Sequence, residues 1–162
     1  MAFFVRRYLL LEILEYFSLS PARQRYWVEE IRQGDWRAAP YLAGQLQEGT
    51  FQGRYGPGGR VFLLTEGGNL LSFCTLVRRD EIPVPGLTPW IGFVYTFPAF
   101  RGHRYSETLI DHVCKVAAQD GYTAVYISSD EVGLYEKYGF TFLGYMSNDE
   151  GHETQVFSRR VS

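Results

Sequence analysis

Two groups of residues in the second half of the chain carry most of its chemical information, and the first suits the binding of an anion. The first is a basic, hydroxyl-bearing turn, Arg101-Gly102-His103-Arg104-Tyr105-Ser106, and the second is Tyr135-Glu136-Lys137-Tyr138-Gly139-Phe140 with its leading phenol. Pro98 halts an apolar strand before the turn, and a helical stretch follows it. The helix start would offer unpaired N–H groups and the positive end of its dipole, which together suit an anion such as a phosphate. Taken alone, the turn reads as a solvated basic bend sooner than as an anion site, with Arg101 and Arg104 beside Glu107, and the alternative for Tyr135 is a packing aromatic, as Tyr138 is expected to be.

The elements that must position these groups follow from periodicity and turn chemistry. Ser20-Pro21 reads as a helix start, with Ser as cap and Pro in the first turn, for a helix over Ala22 to Gln33 that Gly34 stops. Asp35 is expected to cap a second helix, apolar through Trp36, Ala39, Tyr41, Leu42 and Leu46 and ending near Gly49, with Pro40 in its first turns. Gly53 to Gly59 reads as a flexible connection. Val61 to Thr65 and Leu70 to Val77 form a hairpin pattern around Glu66-Gly67-Gly68-Asn69. After a loop from Asp80 to Pro89, Trp90-Ile91-Gly92-Phe93-Val94-Tyr95 is apolar enough for a strand covered on both faces.

A helix from about His103 to Gln119 carries one apolar stripe, Tyr105, Leu109, Val113, Val116 and Ala117, that must pack on a sheet. Strand, helix and the strand Thr123 to Ile127 then require a right-handed crossover, so the strands on either side of the helix run parallel. A short helix around Val132 to Lys137 is stopped by Gly139, and Thr141 to Met146 with Thr154 to Ser158 reads as an antiparallel pair. The opening residues are ambiguous: Leu10, Leu14 and Phe17 keep a helical interval.

Composition bounds the functional classes. At 162 residues, 46% hydrophobic and 17% aromatic, the chain is expected to form one domain over residues 1–162 around a Tyr- and Phe-rich core. Eighteen acidic against sixteen basic residues, a net charge of −2, argue against nucleic acid as a partner. Cys74 and Cys114 read as buried reduced thiols. His103, His112 and His152 lack metal-ligand spacing, so no metal is expected, and His112 beside Asp111 is expected in solvent. Glu12 and Glu15 interrupt the apolar opening Phe3 to Phe17, no small-residue cleavage pattern follows, and no run is long enough to span a bilayer. A cytoplasmic protein without a membrane partner is expected.

Together, the turn and the tyrosine segment resemble the GNAT superfamily of acyl-CoA-dependent N-acyltransferases. That family's cofactor loop is written Q/R-x-x-G-x-G/A after a strand ending in V-x-P. Arg101 takes the first place, Pro98 stands three residues before it, and Thr96 stands where the strand Val is usual. Arg104 and Ser106 occupy the two small positions, the former a departure from glycine. A later family pattern, N-x-x-A-I-x-L-Y-x-x-x-G-F, is matched by Ser128 at the Asn position, then Val132, Leu134, Tyr135, Gly139 and Phe140. The resemblance is strongest from Trp90 to Phe140, about a third of the chain.

This resemblance implies an α/β fold: a single GNAT-like domain with a mixed central sheet, antiparallel N-terminal strands, a splayed parallel middle pair and flanking helices. It also implies a first strand, placed within Ala2 to Leu9. The implied activity is acetyl transfer from acetyl-CoA, as cosubstrate, directly to an amine of a small molecule or peptide, by a monomer or homodimer. Backbone groups near Tyr95, Thr96 and Phe97 would bind the pantetheine arm like an added strand. Donors from Arg101, Gly102, His103, Arg104, Tyr105 and Ser106 would surround the pyrophosphate, with the Arg104 side chain on a phosphate and Ser128 also in the cofactor site. Tyr135 would protonate the departing thiolate. Reference values near 10 and 8.5 make that transfer uphill by roughly 1.5 units, about 2 kcal/mol, before the site adjusts either group.

The base is not fixed by the resemblance. Relatives often carry a glutamate near the start of the strand before the loop, where this chain has Trp90, and no carboxylate occurs from Trp90 to Phe100. Water, Asp35, Asp80, Glu81 or the Asp149-Glu150 turn remain open. The acceptor pocket is expected between Asp35-Trp36, Trp90 and Tyr95, and Asn148-Asp149-Glu150, where aromatic walls and carboxylates would suit a cationic amine. Two other readings stand beside the transferase: a non-catalytic acyl-CoA-binding sensor, and an interaction module that uses the fold without a cofactor.

Overall fold

Runs rich in Val, Leu, Phe and Tyr alternate with helical stretches, and the computed structural model, which describes residues 10–162, assembles them into one mixed sheet. Its strands are β1 (Leu11–Glu15), β2 (Arg60–Glu66), β3 (Asn69–Val77), β4 (Trp90–Thr96), β5 (Ala124–Ser129), β6 (Thr141–Ser147) and β7 (Glu153–Arg160). The helices are α1 (Pro21–Arg32), α2 (Ala38–Glu48), α3 (Phe51–Tyr55), α4 (Tyr105–Gln119) and α5 (Leu134–Lys137). Strand order is β1-β2-β3-β4-β5-β7-β6, and only β4 and β5 are parallel among these neighbours.

Strand alternation divides the interior into two layers. On one face, Leu63 and Phe73 pack with Trp27 and Ile31 of α1 and Leu42 of α2. On the other, Phe62, Cys74, Val125 and Phe157 pack with Leu109, Ile110 and Val113 of α4. Each fully buried Leu, Ile or Phe removes apolar area worth about 1.5–3 kcal/mol, so the two faces of the sheet are fixed by its alternation.

The local signals act as their chemistry requires. Ser20 Oγ accepts the Arg23 N–H at 3.4 Å ahead of Pro21, and α2 ends at Gly49 in the left-handed region. Gly67 and Gly68 turn the β2–β3 hairpin. Cys74 and Cys114 are buried free thiols, and burial pushes the Cys114 thiol up to about 11.

Several expectations need correction. Among the described residues the first strand is Leu11–Glu15, paired with β2 and followed by a 3-10 turn at Tyr16–Ser18, although Leu10, Leu14 and Phe17 keep a helical interval; the expected strand within Ala2 to Leu9 lies outside the described residues. Asp35 does not cap α2, whose N-cap is Arg37. The supposed flexible connection begins inside α3, where Phe51 and Tyr55 are buried and outweigh the glycine content. His112 is half-buried, edge-on to Phe62 at 5.8 Å. No helix among the described residues is long and apolar enough to cross a membrane.

Candidate functional site

The sheet opens at its parallel pair. β4 and β5 are joined at one register position, Trp90↔Tyr126, with the Tyr126 N–H donating to the Pro89 carbonyl at 3.0 Å. Beyond that point β4 is bulged: its register on β3 passes from Phe73↔Tyr95 to Thr75↔Gly92, so Phe93 and Val94 both stand opposite Cys74. Phe93 takes φ 48, a left-handed value unusual for a bulky residue inside a strand. A bulge bends its strand, and past Trp90 β4 has no register partner on β5, so its backbone on that side faces a gap.

At the end of β4, a 3-10 turn at Pro98–Phe100 leads to Gly102 at φ 90 and Arg104 at φ 57 before α4 begins. No side chain caps α4. Its first N–H groups therefore lack intrahelical partners. A Cβ at Gly102 would meet nothing within 4 Å, so the space over the turn is open. The left-handed φ of Arg104 is the conformation in which glycine is least strained, which accounts physically for the glycine usual at that position and makes Arg104 the strained occupant of the turn.

The expected cofactor residues divide between different surroundings. Ser106 Oγ shares a 2.9 Å hydrogen bond with Tyr138 Oη, which ties the first turn of α4 to the end of α5. Arg104 pairs with Glu107 one turn along, and its guanidinium lies 5.8 Å from the Tyr138 ring centroid. His103 stacks on Tyr105 at 5.3 Å. Arg101 turns away from the loop: its Nε donates to the Thr96 carbonyl at 2.9 Å, and its guanidinium lies 5.6 Å from the Tyr95 ring centroid and 3.6 Å from Asp35 Oδ1. The Tyr95 carbonyl accepts from Ser72 Oγ at 2.7 Å, and the Phe97 N–H donates to Leu71 at 3.0 Å. Ser128 Oγ donates to Glu81 Oε1 at 2.8 Å.

Tyr135 is 5% exposed and sits among Tyr138, Phe140 and Phe157, with ring centroids 5.8–6.2 Å away. Burial pushes its phenol well above the usual range, partly offset by the Ser129 side chain. It therefore holds its proton throughout the neutral range.

Across the sheet, Trp36 stacks on Tyr95 at 5.7 Å and lies edge-on to Phe93 at 6.2 Å, while Tyr55 meets Phe93 at 5.9 Å. Tyr95 Oη accepts the Asp35 N–H at 2.9 Å and donates to the Asp35 carboxylate. The late turn folds onto the loop after β3: the Asp149 N–H donates to the Glu81 carbonyl at 3.0 Å, and Asp149 pairs with Arg54 at 3.2 Å. Trp90, expected as a pocket wall, is instead 1% exposed, with Nε1 donating to Leu87 at 2.6 Å. Two cavities lie elsewhere, one of about 400 Å³ beside Gly139 and Thr141 and one of about 620 Å³ between α4 and the end of β7.

Sequence reasoning missed the role of Tyr138, the bulge at Phe93-Val94 and the Glu81–Ser128 link. The Tyr-x-x-Tyr spacing around α5 was a usable signal for the first. The other two depend on strand register and have no local mark.

The sequence profile of the Acetyltransferase (GNAT) family matches residues 19–140. This chain belongs to the GNAT acetyltransferase family. Its fold agrees with solved members. A protein assigned to that family from Desulfovibrio desulfuricans superimposes over 94% of this chain and 100% of its own, with a TM-score of 0.70 at 10% identity. An aminoglycoside 6′-N-acetyltransferase complexed with coenzyme A covers 93% of this chain and 97% of that one, with a TM-score of 0.66 at 15% identity. The ribosomal-protein-S18-alanine N-acetyltransferase of Escherichia coli covers 94% and 95%, with a TM-score of 0.63 at 16% identity. No curated protein matches the sequence.

Proposed function

We propose that this GNAT chain is an N-acetyltransferase that moves an acetyl group from acetyl-CoA directly to an amine of a small molecule or peptide. The observation that carries this reading is the opened sheet, with β4 and β5 joined at Trp90↔Tyr126 alone and an uncapped helix start at the end of the gap. An extended, amide-bearing arm fits along unpaired strand backbone, and a pyrophosphate fits the N–H groups at an open turn. Acetyl-CoA, when bound, supplies the activated thioester.

The chain's own residues would do the rest. The turn from Arg101 to Ser106 binds, with Arg104 exchanging Glu107 for phosphate. The aromatic wall of Trp36, Phe93 and Tyr95 orients a cationic acceptor. Tyr135 holds a proton at Oη for the departing sulfur.

Calorimetric titration with coenzyme A and acetyl-CoA, then thiol release with a polyamine, an aminoglycoside and a peptide bearing a free α-amine, tests the proposal. Saturable binding and thiol release with one of these amines support it. Absence of binding overturns it. A second reading, a non-catalytic acyl-CoA binder, is favoured by one observation, the enclosure of Tyr135 in aromatic side chains. Binding without thiol release for any amine would select it.

A further inference from the structure

Gly92, next to the bulge in β4, lies against a carboxylate. A Cβ at residue 92 would fall 2.5 Å from Asp80 Oδ2 and 3.2 Å from Thr75 Oγ1, so glycine leaves the room that these two oxygens occupy. Asp80 Oδ1 accepts the Glu81 N–H at 2.7 Å, which fixes the group and turns its other oxygen toward the strand. Thr75 Oγ1 is buried and has no hydrogen-bond partner among the described residues. A buried hydroxyl without a partner costs about 1–3 kcal/mol, so a donor or acceptor arriving beside it is favoured. Both oxygens thus lie close over Gly92, near the place where β4 leaves β5.

Other nearby carboxylates are committed. Asp35 is held by Tyr95 and lies near Arg101, Glu81 accepts from Ser128, and Asp149 pairs with Arg54. This place also lies on the correct side. Phe73 and Val77, two residues either side of Thr75, pack in the layer under α1 and α2, whereas Tyr135 packs in the layer under α4. A base there and a proton donor at Tyr135 would face the gap from opposite sides of the sheet.

We propose that Asp80 is the general base of the reaction, taking the proton of the acceptor ammonium at Oδ2, directly or through a water held by Thr75 Oγ1. The inference rests on the transferase reading above. An N–H bond breaks and an O–H bond forms at Oδ2; the freed electron pair makes the C–N bond as the C–S bond breaks. Tyr135 gives its phenolic proton to sulfur and regains one from the acylated nitrogen through solvent, and Asp80 passes its own to water, so one proton is released per turnover. Burial pushes the Asp80 carboxyl up to about 6, against the lowering by the Glu81 N–H and by Arg54 of α3, while the charges of Glu81 and Asp149 raise it and Tyr55 of α3 also faces it. It is then ionised at neutral pH while still a better base than an exposed aspartate.

The test compares wild type with Asp80→Asn, which keeps an acceptor for the Glu81 N–H. The amine used is whichever of the polyamine, aminoglycoside and peptide gives the fastest thiol release. Expected are a loss of roughly 10²–10⁴-fold in kcat at pH 7, coenzyme A affinity within about twofold by calorimetry, and a deficit that shrinks as pH approaches the amine's own pKa. In wild type, kcat/KM should fall below about pH 6, and a ¹³C carboxyl resonance of the free protein that Asp80→Asn removes should titrate near the same value. Full activity of Asp80→Asn in the presence of an active wild type overturns the inference and leaves the transferase reading standing. A wild type that binds coenzyme A and acetylates no amine overturns that reading first. Should the variant not fold, the wild-type profile decides: an acid limb near 6 supports Asp80, and constant activity down to pH 5 overturns it.

Discussion

Tyr95 and Asp35, sixty residues apart, are joined twice: the phenol oxygen accepts the Asp35 backbone N–H at 2.9 Å, and the hydroxyl proton goes to the Asp35 carboxylate. This pair fastens the junction between α1 and α2 to the end of β4, and Trp36 is stacked on Tyr95 as a result. Desolvation raises the Tyr95 phenol above its usual value, and the Asp35 carboxylate adds to the rise, so the hydroxyl remains a donor at neutral pH. Tyr95→Phe removes both bonds and leaves a backbone N–H without its partner. A loss of about 1–2 kcal/mol in urea unfolding is expected, together with a changed Trp36 fluorescence.

Tyr135→Phe separates catalysis from packing. The ring stays in its aromatic cluster, so the fold and coenzyme A affinity should be retained, while kcat falls by roughly 10²-fold if the phenol gives its proton to sulfur. Equal losses in affinity and turnover would assign it to packing. Because burial raises its pKa, no alkaline limb from Tyr135 is expected within the usual assay range.

Arg104→Gly tests the turn. Glycine accepts φ 57 without strain, so thermal stability should be kept or raised. If the guanidinium exchanges Glu107 for a phosphate, coenzyme A binding should weaken and lose part of its salt dependence. Tighter binding would show that the guanidinium, paired with Glu107, obstructs the turn.

Asp80 also predicts a stability profile. Its folded pKa of about 6 lies above the unfolded value near 3.9, so the folded state binds more protons between those values. The contribution to stability is greatest below about pH 4 and is lost as pH rises through 6, amounting to something on the order of 2 kcal/mol by pH 8. Asp80→Asn should therefore be more stable than wild type at pH 8 and gain nothing at pH 4, as measured by urea unfolding at both.

Much of the architecture was legible because its signals are local. Ser20-Pro21, Gly67-Gly68 and the Pro98 to Ser106 turn each act through backbone chemistry within a few residues, and the stripe on α4 needs only a sheet to face. The site was less legible where it depends on distant contacts. Nothing near Asp35 marks it as the partner of Tyr95 rather than a helix cap. The bulge at Phe93 exists only through the register of β4 on β3, and Trp90 has the same character in a wall as in a core. Asp80 looked like one loop carboxylate among several until Gly92 was placed against it.

The position of β7 has its own consequence. β5 and β6 do not pair with each other; each pairs with β7, so that half of the sheet is held together by residues 153–160. As the chain leaves the ribosome, β1 to β4 can form a meander early, but the plate beside Tyr135 must wait for its late central strand. Stalled or clipped nascent chains would present β5 and β6 as unsatisfied edges, the kind of surface that chaperones and proteases recognise first.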